Sequence, residues 1–432
     1  MHSEFGAQFI NELGLHELIF VRNVEANNAF ALHSFGKLPA QAVQMGLFHA
    51  ENEVCPAERP IGNDDPSAGL CAKGAQMIPT EGRPPAEQTA LRLYFLPHQS
   101  ARSILEPSRP RVIKWYCPFA HQGAFPTGHR YCINVYTGCS HRCLYCYAAG
   151  YEPAHPGCKQ DFARLLAKDL ADLERFDVPP APVHIANSTD VFQPLEVSAG
   201  DTKRTLEGLL AHRHRFSTVT ILTKNPAPAA RPDYAQLLRA LGEIPPGHPF
   251  AARWQALGQP AVQVEVSLAF WNEEAARFWD PGAPSVASRV EGVHALRAAG
   301  IPVVMRIDPL FPRSPLPIAP ARSLTDFGLV EAQTLADLEQ LVHLAKVSGV
   351  RQVVYSPAKI VRPRWQPLPS ALNNLLQVYR ALSAPGKPEW RGGSWRLPGP
   401  VAKRLVTGPF RELCRAAALP AKFCMKSLLE TP

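Results

Sequence analysis

The chain has 432 residues, 46% of them apolar and 44 of them proline, about twice the usual proline share. That length allows one large domain or two ordinary ones with a sizeable core. The net charge of +8 and pI near 9.0 suit a polyanionic partner without requiring one. No run of 18 or more apolar residues occurs, so no membrane-spanning helix is expected. Met1–Phe20 carries acids and lacks a charged stretch followed by an apolar one, so a cytosolic location is expected.

In chain order, residues 1–88 show no sustained period, and Pro56–Pro85 reads as linker. A lead-in segment follows over 89–130, with a short strand at Ala90–Phe95. A core is expected over 131–360 and a basic C-terminal extension, helical and packed on it, over 361–432. Within the core, strands are expected at Tyr131–Tyr136, Val183–Ala186, Thr218–Thr223, Val262–Leu268, Val303–Ile307 and Gln352–Tyr355. Between them, Phe162, Leu166, Leu170 and Leu173 keep helical spacing, and Thr202–His212 and Tyr234–Leu241 read as helices. Ser285 caps a further helix that stops at Gly300, and Thr334 with Asp337 opens one that ends near Gly349. Strands alternating with helices predict an α/β fold of parallel βαβ units, either a doubly wound sheet or a full or partial barrel. Functional groups then belong at the C-terminal strand ends.

Ten cysteines occur: Cys55, Cys71, Cys117, Cys132, Cys139, Cys143, Cys146, Cys158, Cys414 and Cys424. In a cytosolic chain of this size they point to metal ligands, reactive thiols or buried apolar residues before disulfides. Cys139, Cys143 and Cys146 form C-x3-C-x2-C. Three thiolates in one loop can wrap a 4Fe–4S cluster and leave one iron open, since full capping takes four. The open iron can chelate the amino and carboxylate groups of S-adenosylmethionine (SAM). Reductive cleavage of the sulfonium then yields methionine and a 5′-deoxyadenosyl radical. Alternatives are a zinc site completed by His141 or His155, and a plain electron carrier, for which Cys158 lies at an odd distance.

Thr137–Ala148, with Tyr145 and Tyr147 flanking the last cysteine, resembles the cluster loop of the spore photoproduct lyase-like (DNA repair photolyase-like) branch of radical SAM proteins. Ser188-Thr-Asp190-Val-Phe-Gln193-Pro194-Leu-Glu196, Thr223-Lys224, Val266-Ser267-Leu268, Arg306-Ile-Asp308-Pro309 and Tyr355-Ser-Pro357 resemble further segments of that branch, in the same order. The resemblance spans about Tyr131–Lys359. It implies a partial (β/α)6 radical SAM barrel, a 4Fe–4S cluster on Cys139, Cys143 and Cys146, SAM as cofactor, and lyase-like chemistry. It also implies an external electron donor of flavodoxin or ferredoxin type; a single subunit is expected. Tyr147 would lie beside the adenine. Ser188 and Asp190 would face SAM or substrate, as could Glu196. Lys224 would pair the SAM carboxylate and Ser267 the ribose or carboxylate. Arg306 would meet SAM, substrate phosphate or Asp308.

The chain departs from that branch in one respect. Spore photoproduct lyases carry a further cysteine downstream of the cluster loop to return a hydrogen atom. Here that window holds Asn187, Ser188 and Thr189. Cys424 is the candidate replacement; Cys117, Cys132 and Cys414 are weaker ones, and a second cluster built from these four has no tight spacing to support it. Arg362, Arg364, Trp365, Trp390, Arg391, Trp395, Arg396, Lys403 and Arg404 mix arginine with indole, which can grip phosphate and stack on bases or simply pack the tail on the barrel. Three functions follow: a radical SAM enzyme on nucleic acid, one on a peptide or small molecule, or a non-catalytic iron–sulfur or zinc protein that binds nucleic acid.

Overall fold

The computed structural model describes residues 109–424 with short internal gaps, and before them only the backbone of a few short strands. The expected irregular character of 1–88, together with Cys55, Cys71 and Trp365, therefore lies outside the described residues. The strand expected near Ala90 is present as Leu91–Leu96, between Gln76–Ile78 and Arg102–Pro107 in an antiparallel sheet.

Seven parallel strands form the main sheet: β1 (Tyr131–Ile133), β2 (Ala181–Ile185), β3 (Phe216–Thr223), β4 (Val262–Ser267), β5 (Val303–Leu310), β6 (Val353–Pro357) and β7 (Ala421–Phe423). They lie side by side in chain order, and Ile113–Lys114 adds an antiparallel edge beside β1. Strands β3, β4 and β5 are Val- and Ile-rich and buried along most of their length, as parallel strands covered by helices must be. The helices are α1 (Phe162–Arg175), α2 (Asp201–Ala211), α3 (Pro232–Gly242), α4 (Val286–Ala298) and α5 (Leu335–Val347). Ser285 Oγ accepts from Ser288 N at 3.1 Å, and Thr334 and Asp337 complete a capping box, so both α4 and α5 start where their side chains satisfy free backbone donors.

The sheet is curled. His184 on β2 and Glu265 on β4 approach to 3.7 Å although β3 runs between them. Strands two apart in a flat sheet are separated by about 9–10 Å. A concave sheet, as in a partial barrel, brings such side chains together over the intervening strand. Val183, Ile185, Val264, Val266, Met305 and Ile307 belong to the apolar core, while their neighbours Cys132, His184, Glu265 and Arg306 make the interior polar.

The tail is joined to the core sheet as well as packed on it. The extension does contain helices, at Ser370–Leu382 and Gly408–Ala416, but it also returns β7 to the sheet beside β6. Phe423 packs edge-on to Tyr355 at 5.5 Å, which holds that register. One sheet thus runs from Ile113 to Phe423, across both expected boundaries.

Candidate metal centre

The cysteine loop leaves β1 at the C-terminal end of the sheet. Tyr136–Thr137 pairs antiparallel with Gly157–Cys158, which ties the loop's beginning to the chain after its last cysteine. Gly138 has φ +62°, and a Cβ there would lie 2.4 Å from the His155 carbonyl oxygen, so only glycine fits. Cys139, Cys143 and Cys146 are free and half-buried. Burial pushes the Cys139 thiol up to about 12, and Cys143 and Cys146 are raised by the same cause. Such thiols ionise only when a metal replaces the proton.

His141 is not free to complete a zinc site. It is buried, with Nδ1 3.1 Å from the Gly282 carbonyl oxygen and Nε2 3.1 Å from Asp190 Oδ2. Among the described residues no three His, Cys, Asp or Glu side chains converge on a single-ion site. The thiolates of one 4Fe–4S cluster bind separate irons and stand farther apart than the ligands of one ion. Three soft thiols, with no fourth ligand gathered beside them among the described residues, fit a three-ligand cluster better than zinc.

A second segment clamps this loop. Leu144 N donates to Trp279 O and Gly282 N to His141 O, both at 2.9 Å. A Cβ on Gly282 would lie 2.1 Å from the Ser140 carbonyl oxygen. Gly282→Ala should therefore displace the cysteine loop, at a cost of about 1–3 kcal/mol. We expect iron per chain after anaerobic reconstitution to fall below half the wild-type value; a normal iron content would show that the contact is slack.

Between these contacts sits Asp280, fully buried. It accepts from Tyr145 Oη at 2.5 Å, Arg289 Nη1 at 3.0 Å and Lys224 Nζ at 3.3 Å. Burial alone would raise its carboxyl, but Lys224 and Arg289 outweigh it and hold it down at about 2. Lys224 also donates to Tyr145 Oη at 2.7 Å and Ser267 Oγ at 3.0 Å, so the structure brings together two residues singled out in the sequence. Asp280, Arg289 and Gly282 are site residues that the sequence reading missed; the only local hint is the Asp-Pro-Gly turn at 280–282.

The other expected residues are engaged within the fold. Asp190 accepts from Phe192 N, Thr223 Oγ1 and Lys224 N at 2.9, 2.8 and 2.6 Å, in addition to its His141 contact. Burial works to raise its carboxyl, but these partners, His141 first, keep it below the usual range. Ser188 exchanges two 3.0 Å hydrogen bonds with the Asn134 amide and meets Tyr151 Oη. Glu196 lies away from the loop, where it accepts from Tyr136, Tyr234 and the Thr202 and Lys203 N–H groups opening α2. Tyr147 donates its phenol to the Asn187 carbonyl, and Lys359 Nζ stands 4.8 Å over its ring. Arg142 is exposed.

Deeper in the barrel, Arg306 donates to Glu265 at 2.7 Å, Asp308 at 2.6 Å and Cys424 Sγ at 2.9 Å. Cys424 follows β7, and its N–H donates to Tyr355 O, so the tail does carry this thiol to the polar interior. Cys117 and Cys132 touch each other under the Asn187 amide, while Cys414 is buried on the helix Gly408–Ala416. These four thiols do not converge.

His184 is held neutral: burial first, then Arg130, lowers it to about 4 against the pull of Glu265. Its ordinary value is near 6.5, so the unfolded chain takes up this proton first as pH falls. The stability it contributes is complete above about pH 6.5 and is lost as pH falls toward 4, with a slope approaching about 1.4 kcal/mol per pH unit. Urea unfolding at pH 7, 6 and 5 should show a steeper loss for the wild type than for His184→Asn; parallel curves would refute this assignment.

No family model matches the chain. Uncharacterised proteins of Mycobacterium tuberculosis and Mycobacterium bovis are 27% identical to it over 193 residues, which cover 43% of this chain and 50% of theirs. The chain thus spans about half the length of the curated relatives it matches. A cysteine-to-serine variant of spore photoproduct lyase aligns with TM-score 0.47 and 13% identity, over 73% of this chain and 79% of that one. Spore photoproduct lyase complexed with dinucleoside spore photoproduct gives 0.44 and 14%, over 73% and 79%. The radical SAM methyltransferase TsrM from Kitasatospora setae gives 0.35 and 14%, over 55% and 37%. These solved structures that align with this chain are thus radical SAM proteins, spore photoproduct lyase among them, all at TM-scores below 0.5.

Proposed function

We propose that this chain is a radical SAM enzyme acting on nucleic acid, in repair or modification. The observation that carries the radical SAM reading is the loop itself: three free thiols, spaced C-x3-C-x2-C, with the buried His141 engaged by Asp190 and Gly282. Held by Cys139, Cys143 and Cys146, a 4Fe–4S cluster would supply reductive cleavage of SAM and a 5′-deoxyadenosyl radical.

The chain's own groups prepare that chemistry. Lys224 lies within electrostatic reach of Cys143 and favours its thiolate, against the nearby Asp280 carboxylate that it pairs with. The contacts of Asp190 and Gly282 with His141 fix the loop from two sides. Tyr147, tethered to Asn187, presents its ring where the chain leaves the last cysteine. Cys424, whose thiol burial pushes up, is the group this reading uses to return a hydrogen atom to a substrate carbon radical. The charge of +8 supports a nucleic-acid substrate. A cytosolic location, an external flavodoxin- or ferredoxin-like electron donor and a single subunit go with this reading.

Anaerobic reconstitution tests it. We expect a brown protein with about 4 Fe per chain that releases 5′-deoxyadenosine from SAM and dithionite. A colourless zinc protein, or a cluster capped by a fourth side chain, would overturn it.

A further inference from the structure

The tail places a row of cations directly over the exit of the cysteine loop. The strands Ile360–Val361, Ser394–Arg396 and Glu389–Arg391 form a small antiparallel sheet. Its register pairs Ile360 with Trp395 and Trp390 with Trp395, which sets these three on one face. Ile360 is in the core, Trp395 packs against it, and Trp390 meets Trp395 edge-on at 4.3 Å. The other face, one residue out of step, carries Lys359, Val361, Ser394, Arg396, Glu389 and Arg391. One step beyond the Ile360–Trp395 pair, the register sets Lys359 opposite Arg396, and Arg396 is itself the partner of Glu389.

This face adjoins the site. A Cβ on Gly150 would stand 2.9 Å from Val361 Cγ1, and Arg364 N donates to Ala149 O at 3.0 Å, so the sheet is fastened to the helical turn Tyr147–Gly150. Lys359 ends up over Tyr147 and within electrostatic reach of Cys146. Three cations share the face with one carboxylate, and none of the three forms an ion pair among the described residues. Burial and then the Arg396 charge lower Lys359 against the pull of Asp308, and burial and then Arg391 lower Arg396 against the pull of Glu389, so the crowded cations outweigh the carboxylates near them. The tryptophans serve packing, so the arginines and the lysine are left to bind.

We propose that Lys359, Arg396 and Arg391 form an oxyanion site that takes the phosphodiester of a single nucleic-acid strand and leads it to the cluster loop. The inference rests on the nucleic-acid reading above and adds where the strand is held. Phosphate contacts position a strand without reading its sequence, so the site should be tolerant of base identity.

The test is fluorescence anisotropy of a short fluorescein-labelled oligothymidylate on the anaerobically reconstituted chain across a salt series. Combining Lys359→Gln with Arg396→Gln should weaken binding at least tenfold at low salt. The slope of log K against log salt should become shallower by about 0.7 for each phosphate that is no longer neutralised. Glu389→Gln, which removes the one opposing carboxylate, should tighten binding, a gain that misfolding cannot mimic. Unlabelled oligothymidylate should compete, whereas SAM should not. If the wild type binds but all variants match it, the site is wrong and the nucleic-acid reading stands. If the wild type does not bind, both fail. If SAM displaces the probe, the row serves the SAM carboxylate and the proposal is overturned.

Discussion

Cys143→Ala is expected to abolish SAM cleavage and to leave the reconstituted protein with iron and sulfide at background levels. Cys143 sits at the centre of the loop's attachments. Leu144, its neighbour, is tied to Trp279, and its own sulfur lies within reach of both Asp280 and Lys224. Removing it leaves two thiols for a cluster that needs three, and the His141 ring is already committed to Gly282 and Asp190. No described side chain is placed to substitute. Quantifying iron, acid-labile sulfide and 5′-deoxyadenosine checks this. A variant that still cleaves SAM at a measurable rate would mean that the ligand set is misassigned. Loss of cleavage with iron retained would separate cluster binding from activation and point to a different third ligand.

Strands β1 to β6 were legible because each is a short, mostly apolar run set between helical segments, two of which carry recognisable caps. Ser285 and Thr334 mark their helix starts in the structure as they do in the sequence. The cysteine loop was legible because its ligands lie within eight residues and their spacing carries the chemistry. The clamp was not. Asp280 is more than 130 residues from Tyr145, which donates to it, and the short helix Glu273–Trp279 before it shows no pattern that sets it apart. A buried carboxylate is indistinguishable from a surface one until its partners are placed. The same limit applies in reverse to Asp190 and Glu196. Both are acids near strand ends, where ligand contact and helix capping have the same sequence signature, and the structure shows both bound up with internal donors. The tail was only half legible, since β7 is three residues long and its pairing with β6 is a long-range contact.

Asp280→Ala should be the most destabilising single change outside the cysteines. Lys224 and Arg289 would then face each other in the buried space beside Cys143 with no counter-charge. Removing one partner of a buried ion pair costs about 3–5 kcal/mol, mostly through the charge left behind. Here two cations are stranded, so the upper part of that range applies. Tyr145 also loses its acceptor, and with it the link between the cluster loop and the Trp279–Gly282 segment. Asp280→Asn keeps the shape and an acceptor but drops the charge, and should cost less. The two variants together isolate the electrostatic part of the effect. Urea unfolding at pH 7 gives the stability difference, and iron per chain after reconstitution reports on the loop. If Asp280→Ala unfolds at the wild-type midpoint and takes up a full complement of iron, then solvent reaches Lys224 and Arg289, and the clamp does not hold the cysteine loop. If the alanine variant cannot be isolated folded, the asparagine variant decides the matter. It should show a lowered midpoint with reduced iron, because a neutral amide cannot hold two buried cations beside a thiolate-bound cluster.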